Sequence, residues 1–269
     1  MDDNDSQRGP RARLKRRLAA RPGPPSGGCT MLIYHRVGGG TPDERDLGVT
    51  AFRAQMDALT RHRVVSLDQA LDELAAGDER QKVVITFDDG FADVADPALG
   101  ILVERDLPFT LYLATAYVGG QMHWDGSTAK APGPALTWSQ LADLAASPLC
   151  TIGNHTHTHA RPEALTSEEL DRCTEEIESR LGTTPRHFAY TWGIPVPRME
   201  PELRARFRSA ATGELGRNRP GTDPYRLRRV PVRGSDPLEF FEAKLRGRLL
   251  PERAYGAIVA TAKRVGLRA

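Results

Sequence analysis

The chain has 269 residues, 39% hydrophobic and 27% charged, with a net charge of +2. That length and mix suit one globular domain with a full core, and the near-neutral balance argues against a dedicated nucleic-acid binder, which carries a strongly basic face. Cys29, Cys150 and Cys173 are scattered and show no CxxC spacing, so they suggest neither a disulfide framework nor a structural zinc site.

Residues 1–28 are arginine-rich and end in Arg21-Pro-Gly-Pro-Pro-Ser-Gly-Gly28. No apolar stretch of a secretory signal follows the basic run, and no segment nears the roughly 20 apolar residues of a membrane span. The segment therefore reads as a basic arm, flexible or partly helical, on a protein expected in the cytoplasm. A solvated tail is the plain expectation, with weak contact to an anionic membrane surface or a partner as the other.

From Thr30 onward, short apolar runs alternate with segments of helical period, the pattern of an α/β fold. Strands are expected over residues 30–35, 82–87, 109–115, 150–155, 187–190, 209–212 and 227–232. Several are unbroken apolar runs, as parallel strands covered on both faces require. Between them Phe52, Met56 and Leu59 form a helical stripe behind Thr50 as N-cap, and Leu67, Leu71 and Leu74 another behind Ser66. Residues 119–134 are polar and glycine-rich, carry Trp124 and Asp125, and read as a long loop over the mouth of the fold. Trp138 then starts a helix as a core residue. The clearest helix, 167–181, opens on a capping box of Thr166 and Glu169, aligns Leu170, Cys173, Ile177 and Leu181, and stops at Gly182. Leu238, Phe241 and Leu245 mark a late helix. About seven parallel strands alternating with helices predict one (β/α) barrel domain over residues 29–269.

Two motifs carry chemistry. Asp88 and Asp89 close the run Val83-Val84-Ile85-Thr86-Phe87, at the carboxyl end of a buried strand, where parallel α/β folds place reactive groups. Gly90 lets the chain turn there. Asp-Asp-Gly alone would be a surface turn; the buried run in front of it favours function. His155 and His159 follow a second run, Cys150-Thr151-Ile152-Gly153, at a spacing that can aim both imidazoles at one ion, while His157 faces elsewhere. Asp89, His155 and His159 are the expected ligands of one divalent metal ion, zinc first, with cobalt, nickel, iron or manganese also compatible. Three ligands leave room for water and substrate, and Asp88 remains to take a proton from that water.

With these motifs in place, the chain resembles the polysaccharide deacetylases of the NodB-homology type, carbohydrate esterase family 4. Thr86-Phe87-Asp88-Asp89-Gly90 matches that family's first motif, with Asp88 as base and Asp89 as metal ligand, and His155-Thr156-x-x-His159 its second. The resemblance implies a distorted (β/α) barrel with a divalent ion that removes acetyl groups from sugars. It spans roughly residues 30–232 and has departures. Phe188-Ala189-Tyr190-Thr191-Trp192-Gly193 stands where the third motif, Arg-x-Pro-Tyr, is expected, so its arginine is missing. Thr151 stands where a glutamate is often found. No histidine follows His187, so the late catalytic acid is absent.

Leu32-Ile33-Tyr34-His35-Arg36-Val37 resembles the circularly permuted subgroup containing poly-N-acetylglucosamine deacetylases, in which the acid histidine comes early. His35 is the expected general acid on that resemblance; a packed core histidine is the other reading. Arg228 or Arg229 could replace the missing arginine and clamp Asp88. Trp192, Tyr190 and Trp124 are the candidate substrate-binding residues, with Asp125 and Asn218 weaker. The expected function is metal-dependent N-deacetylation of a sugar, glycan or glycoconjugate. The alternatives are an O-acyl esterase or non-sugar amidase with the same metal chemistry, and an inactive barrel that binds glycan.

Overall fold

The computed structural model describes residues 9–20, 26–124 and 132–264. Its centre is a closed barrel of seven parallel strands: β1 (Cys29–Tyr34), β2 (Lys82–Phe87), β3 (Phe109–Leu113), β4 (Cys150–Asn154), β5 (His187–Ala189), β6 (Ser209–Leu215) and β7 (Leu227–Pro231). Each strand pairs with the next in sequence, and β1 closes the ring between β2 and β7. This is the expected single-domain barrel, with every strand end within three residues of the expected one and Lys82–Phe87 matching at both ends.

Alternation along the strands sorts their side chains. Met31, Val84, Tyr112, Ala189, Ala211 and Leu227 form one buried cluster, while Leu32, Tyr34, Val83, Ile85, Phe87 and Val230 join a second with the surrounding helices. On the same faces, at the carboxyl-terminal rim, lie His35 and Asp88, four residues past Met31 and Val84, and Arg229, two past Leu227. Period-2 geometry therefore points them to the barrel's inner side.

The helices are α1 (Pro10–Ala19), α2 (Val49–Leu59), α3 (Leu67–Ala75), α4 (Ala98–Val103), α5 (Trp138–Ala146), α6 (Ser167–Leu181), α7 (Glu200–Arg206), α8 (Leu238–Leu245) and α9 (Leu250–Arg264). Ser66 caps α3, accepting from Gln69 N, and Gly182 ends α6 at φ 65°. Two expectations differ. The N-cap of α2 is Gly48 rather than Thr50, because the helix starts at Val49. The basic segment is not a loose arm over Pro10–Ala19: it is a helix packed on α8 and α9. Lys15 is fully buried there, with Nζ 2.7 Å from both Asp236 Oδ1 and Ser235 Oγ. A buried ammonium needs such partners, and they anchor α1 to the loop after β7. No helix among the described residues is long and apolar enough to cross a membrane.

Candidate active site

The barrel places both motifs on one rim. Tyr34 pairs with Phe87 across β1 and β2, so His35 and Asp88 leave the ring as neighbours, and Asp88 N donates to Tyr34 O at 3.0 Å. Leu113 pairs with Asn154 across β3 and β4, which brings the loop of His155 and His159 to the same level. His35, Asp88, Asp89, His155, His159, Arg229, Trp124 and Trp192 line one pocket, together with Arg45 and Gly193 facing Gly213. A Cβ on Gly193 would lie 2.7 Å from the Gly213 backbone, so these two segments meet only because both positions lack side chains.

Asp89 Oδ1 lies 3.5 Å from His155 Nε2 and 3.4 Å from His159 Nε2, and all three residues are buried. Two ligands each about 2.0–2.1 Å from one tetrahedral ion stand roughly 3.4 Å apart, so this donor set fits a divalent metal. His155 Nδ1 lies 2.8 Å from Ala189 O, an arrangement in which that nitrogen carries the proton and Nε2 is free to ligate. His159 Nδ1 is buried without a partner among the described residues.

The backbone is strained at this point. Asp89, Thr156, His159 and Trp192 all hold positive φ, at 76°, 65°, 54° and 61°. Non-glycine residues in this region cost about 1–3 kcal/mol each and persist where surrounding structure fixes them. One fixture is Glu169. Its carboxylate accepts from Thr158 N at 2.8 Å and from Thr158 Oγ1 at 2.9 Å, and its carbonyl accepts from His157 N. Thr166 caps α6 by accepting from Glu169 N at 3.4 Å, while the glutamate side chain holds the histidine loop instead of completing the capping box.

Asp88 is clamped separately. Arg229 Nη1 donates to Oδ1 at 2.6 Å and Nη2 to Oδ2 at 2.8 Å, with Nε donating to Thr212 O. Arg229 faces inward and is buried, whereas Arg228 on the alternate face is exposed, so only Arg229 reaches Asp88. Burial alone would raise the Asp88 carboxyl; Arg229 and His155 outweigh it and hold the group below the ordinary carboxylate value. His35 moves the other way for an imidazole: burial lowers it, against the pull of Asp89 and Asp88. Its Nδ1 is buried without a partner among the described residues, and Nε2 is the nitrogen left for the pocket.

The aromatic candidates divide. Trp124 stacks on His159 with ring centroids 3.9 Å apart, and Trp192 meets the same imidazole edge-on at 5.5 Å. Tyr190 does not reach the pocket. It is buried with Phe188, Met199 and Phe207 on the outer side of β5, because Ala189 takes the inward position. Asn218 is also buried, exchanging hydrogen bonds with the Arg228 backbone. Asp125 lies outside the described residues. Arg45, in the polar loop after β1, escaped sequence reasoning because nothing local distinguishes it from a surface arginine. Glu169 was visible only as a helix cap.

Residues 75–204 match the model of a family described as polysaccharide deacetylase, a span that includes Asp88, Asp89, His155 and His159 but neither His35 nor Arg229. Among solved structures, IcaB from Ammonifex degensii is 28% identical with a TM-score of 0.70, covering 82% of this chain and 97% of that one. BC0361, a polysaccharide deacetylase from Bacillus cereus, shares the fold at 22% identity and a TM-score of 0.68, over 82% of this chain and 69% of that one. The BpsB deacetylase domain from Bordetella bronchiseptica does so at 19% identity and 0.63, over 78% and 98%. None of the curated proteins compared matches the chain.

Proposed function

We propose that this chain, a member of the polysaccharide deacetylase family, is a metal-dependent hydrolase that removes the N-acetyl group from a sugar, glycan or glycoconjugate. One observation carries the reading: a buried carboxylate and two imidazole nitrogens converge on one point, beside a second carboxylate held apart from them by its own arginine. Asp89, His155 and His159 would hold the divalent ion, zinc by preference, which supplies Lewis acidity toward water and the acyl oxygen.

The chain's own residues do the proton work. Asp88, kept ionised and oriented by Arg229, accepts a proton from the attacking water. The Trp192 backbone N–H is the candidate donor to the oxygen that gains charge. His35 Nε2 protonates the nitrogen as the C–N bond breaks, giving acetate and a free amine. His35 is held below its ordinary value, so it rests neutral near pH 7 and must receive a proton in each cycle. The proton taken by Asp88 is the nearest source.

A second reading of the same reaction draws on the Arg229 fork. Both Asp88 oxygens are already engaged, which favours neutral His35 as the group that takes the water proton and hands it to nitrogen. In that case Asp88 orients the site and balances charge.

The test is acetate release by protein loaded with a defined metal, from N-acetylglucosamine oligomers and from an aryl acetate. Release from the oligomers supports the N-deacetylase; release from the ester alone points to an O-acyl esterase. No release from either sinks the enzyme reading.

A further inference from the structure

The mouth of the site carries an arginine, Arg45, that the deacetylation chemistry leaves unused. Arg45 shares a recess with His35, Asp89 and Trp124. Asp43 grips one edge of its guanidinium, Nε to Oδ1 at 3.1 Å and Nη2 to Oδ2 at 2.8 Å, and Nη1 has no partner among the described residues. The loop beneath it is fixed on two sides. Asp46 accepts from Gly39 N and Thr41 N, and Glu44 accepts from Arg11 and Ser235. A guanidinium held by one edge keeps its other donors aimed and loses little entropy on meeting a ligand.

A second cation lies along the same wall. Trp124, His159 and Trp192 pack in series, and the Arg161 guanidinium sits 5.4 Å from the Trp192 ring centroid. Arg161 is exposed and has no acidic partner among the described residues. Asp43 takes one edge of Arg45 and Asp89 adds a Coulombic pull. But Asp88 is committed to Arg229 and Asp89 faces the two imidazoles, so no acid among the described residues hydrogen-bonds the outer edge of Arg45. Arginine donors of this kind recognise compact oxyanions.

We propose that Arg45 and Arg161 bind an anionic substituent of the substrate, a phosphate ester or a carboxylate carried beside the acetamido sugar. The proposal rests on the deacetylase reading for the sugar itself and adds the charge class of what the sugar is attached to.

Binding to the metal-free protein tests it, because there no bound ion can attract the anion and Asp88 and Asp89 oppose it. N-acetylglucosamine, N-acetylglucosamine 1-phosphate and N-acetylmuramic acid are titrated separately, following tryptophan fluorescence. Both charged sugars, or one of them, should bind about tenfold or more tighter than the neutral one, as charge-assisted contacts imply. Which of them does so identifies phosphate or carboxylate as the group read. The preference should collapse in Arg45→Gln and fall in the exposed-site variant Arg161→Gln, and added salt should weaken it. Equal binding of all three sugars, or a preference that survives both substitutions together, overturns the proposal. Acetate release separates it from the underlying reading. Release from neutral oligomers with no charge preference removes the anion site alone. A charge preference in binding with no release from any sugar supports the anion site and removes the deacetylase.

Discussion

Arg229 meets Asp88 as a fork, Nη1 on Oδ1 at 2.6 Å and Nη2 on Oδ2 at 2.8 Å, with both side chains nearly excluded from solvent. Removing the arginine leaves a buried carboxylate without its counter-ion. Arg229→Gln should therefore destabilise the fold by about 3–5 kcal/mol, and the lost stability should be partly regained in the double variant with Asp88→Asn. Arg229→Lys keeps the charge but not the fork, so it should fold better than Arg229→Gln and still lose turnover. Urea unfolding of the four proteins, with kcat/KM for acetate release, checks this. Equal stability of Arg229→Gln and wild type would show that the fork does not hold Asp88 in place.

The metal reading makes a prediction that needs no turnover. A ligand that binds only the folded state stabilises it by about 2.7 kcal/mol at a hundredfold excess over its Kd. Adding zinc to metal-free protein should raise Tm by several degrees. Asp89→Asn, which keeps the shape but loses the anionic ligand, should remove most of that rise. An undiminished rise in Asp89→Asn would place the ion elsewhere.

His35 carries two linked expectations. An amide leaves as a poor anion unless protonated, whereas an aryl oxide leaves readily, so His35→Gln should cut kcat/KM on an N-acetyl sugar by about 10²–10⁴ and on an aryl acetate far less. The second concerns stability. A histidine whose folded pKa is depressed below its ordinary 6.5 contributes stability that is fully present above that value and is lost as pH falls. Unfolding free energy in wild type should therefore decline below about pH 6.5 more steeply than in His35→Gln. Parallel pH profiles, or equal losses on both substrates, would remove His35 from the acid role.

Much of this was legible because strand burial and strand ends are local properties. The run 83–87 reads as a buried strand, and that alone puts Asp88 and Asp89 on the rim. Period-2 alternation also separates Arg229 from Arg228, since Arg229 shares a face with the inward Leu227. The same rule applied to Phe188-Ala189-Tyr190 turns Tyr190 outward, but an all-apolar triplet offers no polarity to reveal which residue faces in. The docking of α1 was hidden for a different reason. Its partners Ser235 and Asp236 lie more than 200 positions away, and a lysine among arginines gives no sign that it will be buried. Arg45 is gripped by Asp43 of its own loop, whose neighbour Glu44 takes Arg11 of α1, and no local pattern marks that loop as lying at the pocket.

Glu169 separates capping from site support. Its carboxylate takes both donors of Thr158, in a loop whose Thr156 and His159 hold positive φ. Glu169→Ala should weaken zinc affinity about 10–100-fold, the usual effect of losing a group that orients metal ligands. Thr166→Ala should instead cost about 1 kcal/mol of stability and leave zinc affinity unchanged, since Thr166 caps the helix without touching the loop. Metal competition titrations with a chromophoric chelator resolve the two effects. Equal zinc affinity in wild type and Glu169→Ala would refute the support role.

Ala12 and Lys15 are the buried residues of the N-terminal helix, so its deepest contact is an ion pair. Lys15 and Lys244 share Asp236, at 2.7 Å and 2.5 Å, and Lys244 also lies 3.0 Å from Glu252, all four side chains being buried. Burial pushes the Lys15 ammonium below its ordinary value despite Asp236. At Asp236 burial acts upward, but Lys244, Lys15 and Arg233 outweigh it and bring the carboxyl down from 3.8 to about 2. A carboxyl depressed in this way contributes stability that is complete above its unfolded value and is lost as pH falls through the folded one. The loss should therefore run from about pH 4 toward pH 2. Asp236→Asn should destabilise the protein by about 3–5 kcal/mol at pH 7, because two ammonium groups lose their shared partner, and it should show a shallower decline across that acid window. Lys15→Met should release α1 specifically, seen as faster amide exchange over residues 10–19 while the barrel strands keep their protection. If α1 exchanges equally slowly in Lys15→Met, apolar contacts suffice to dock it, and the buried ion pair is not its anchor.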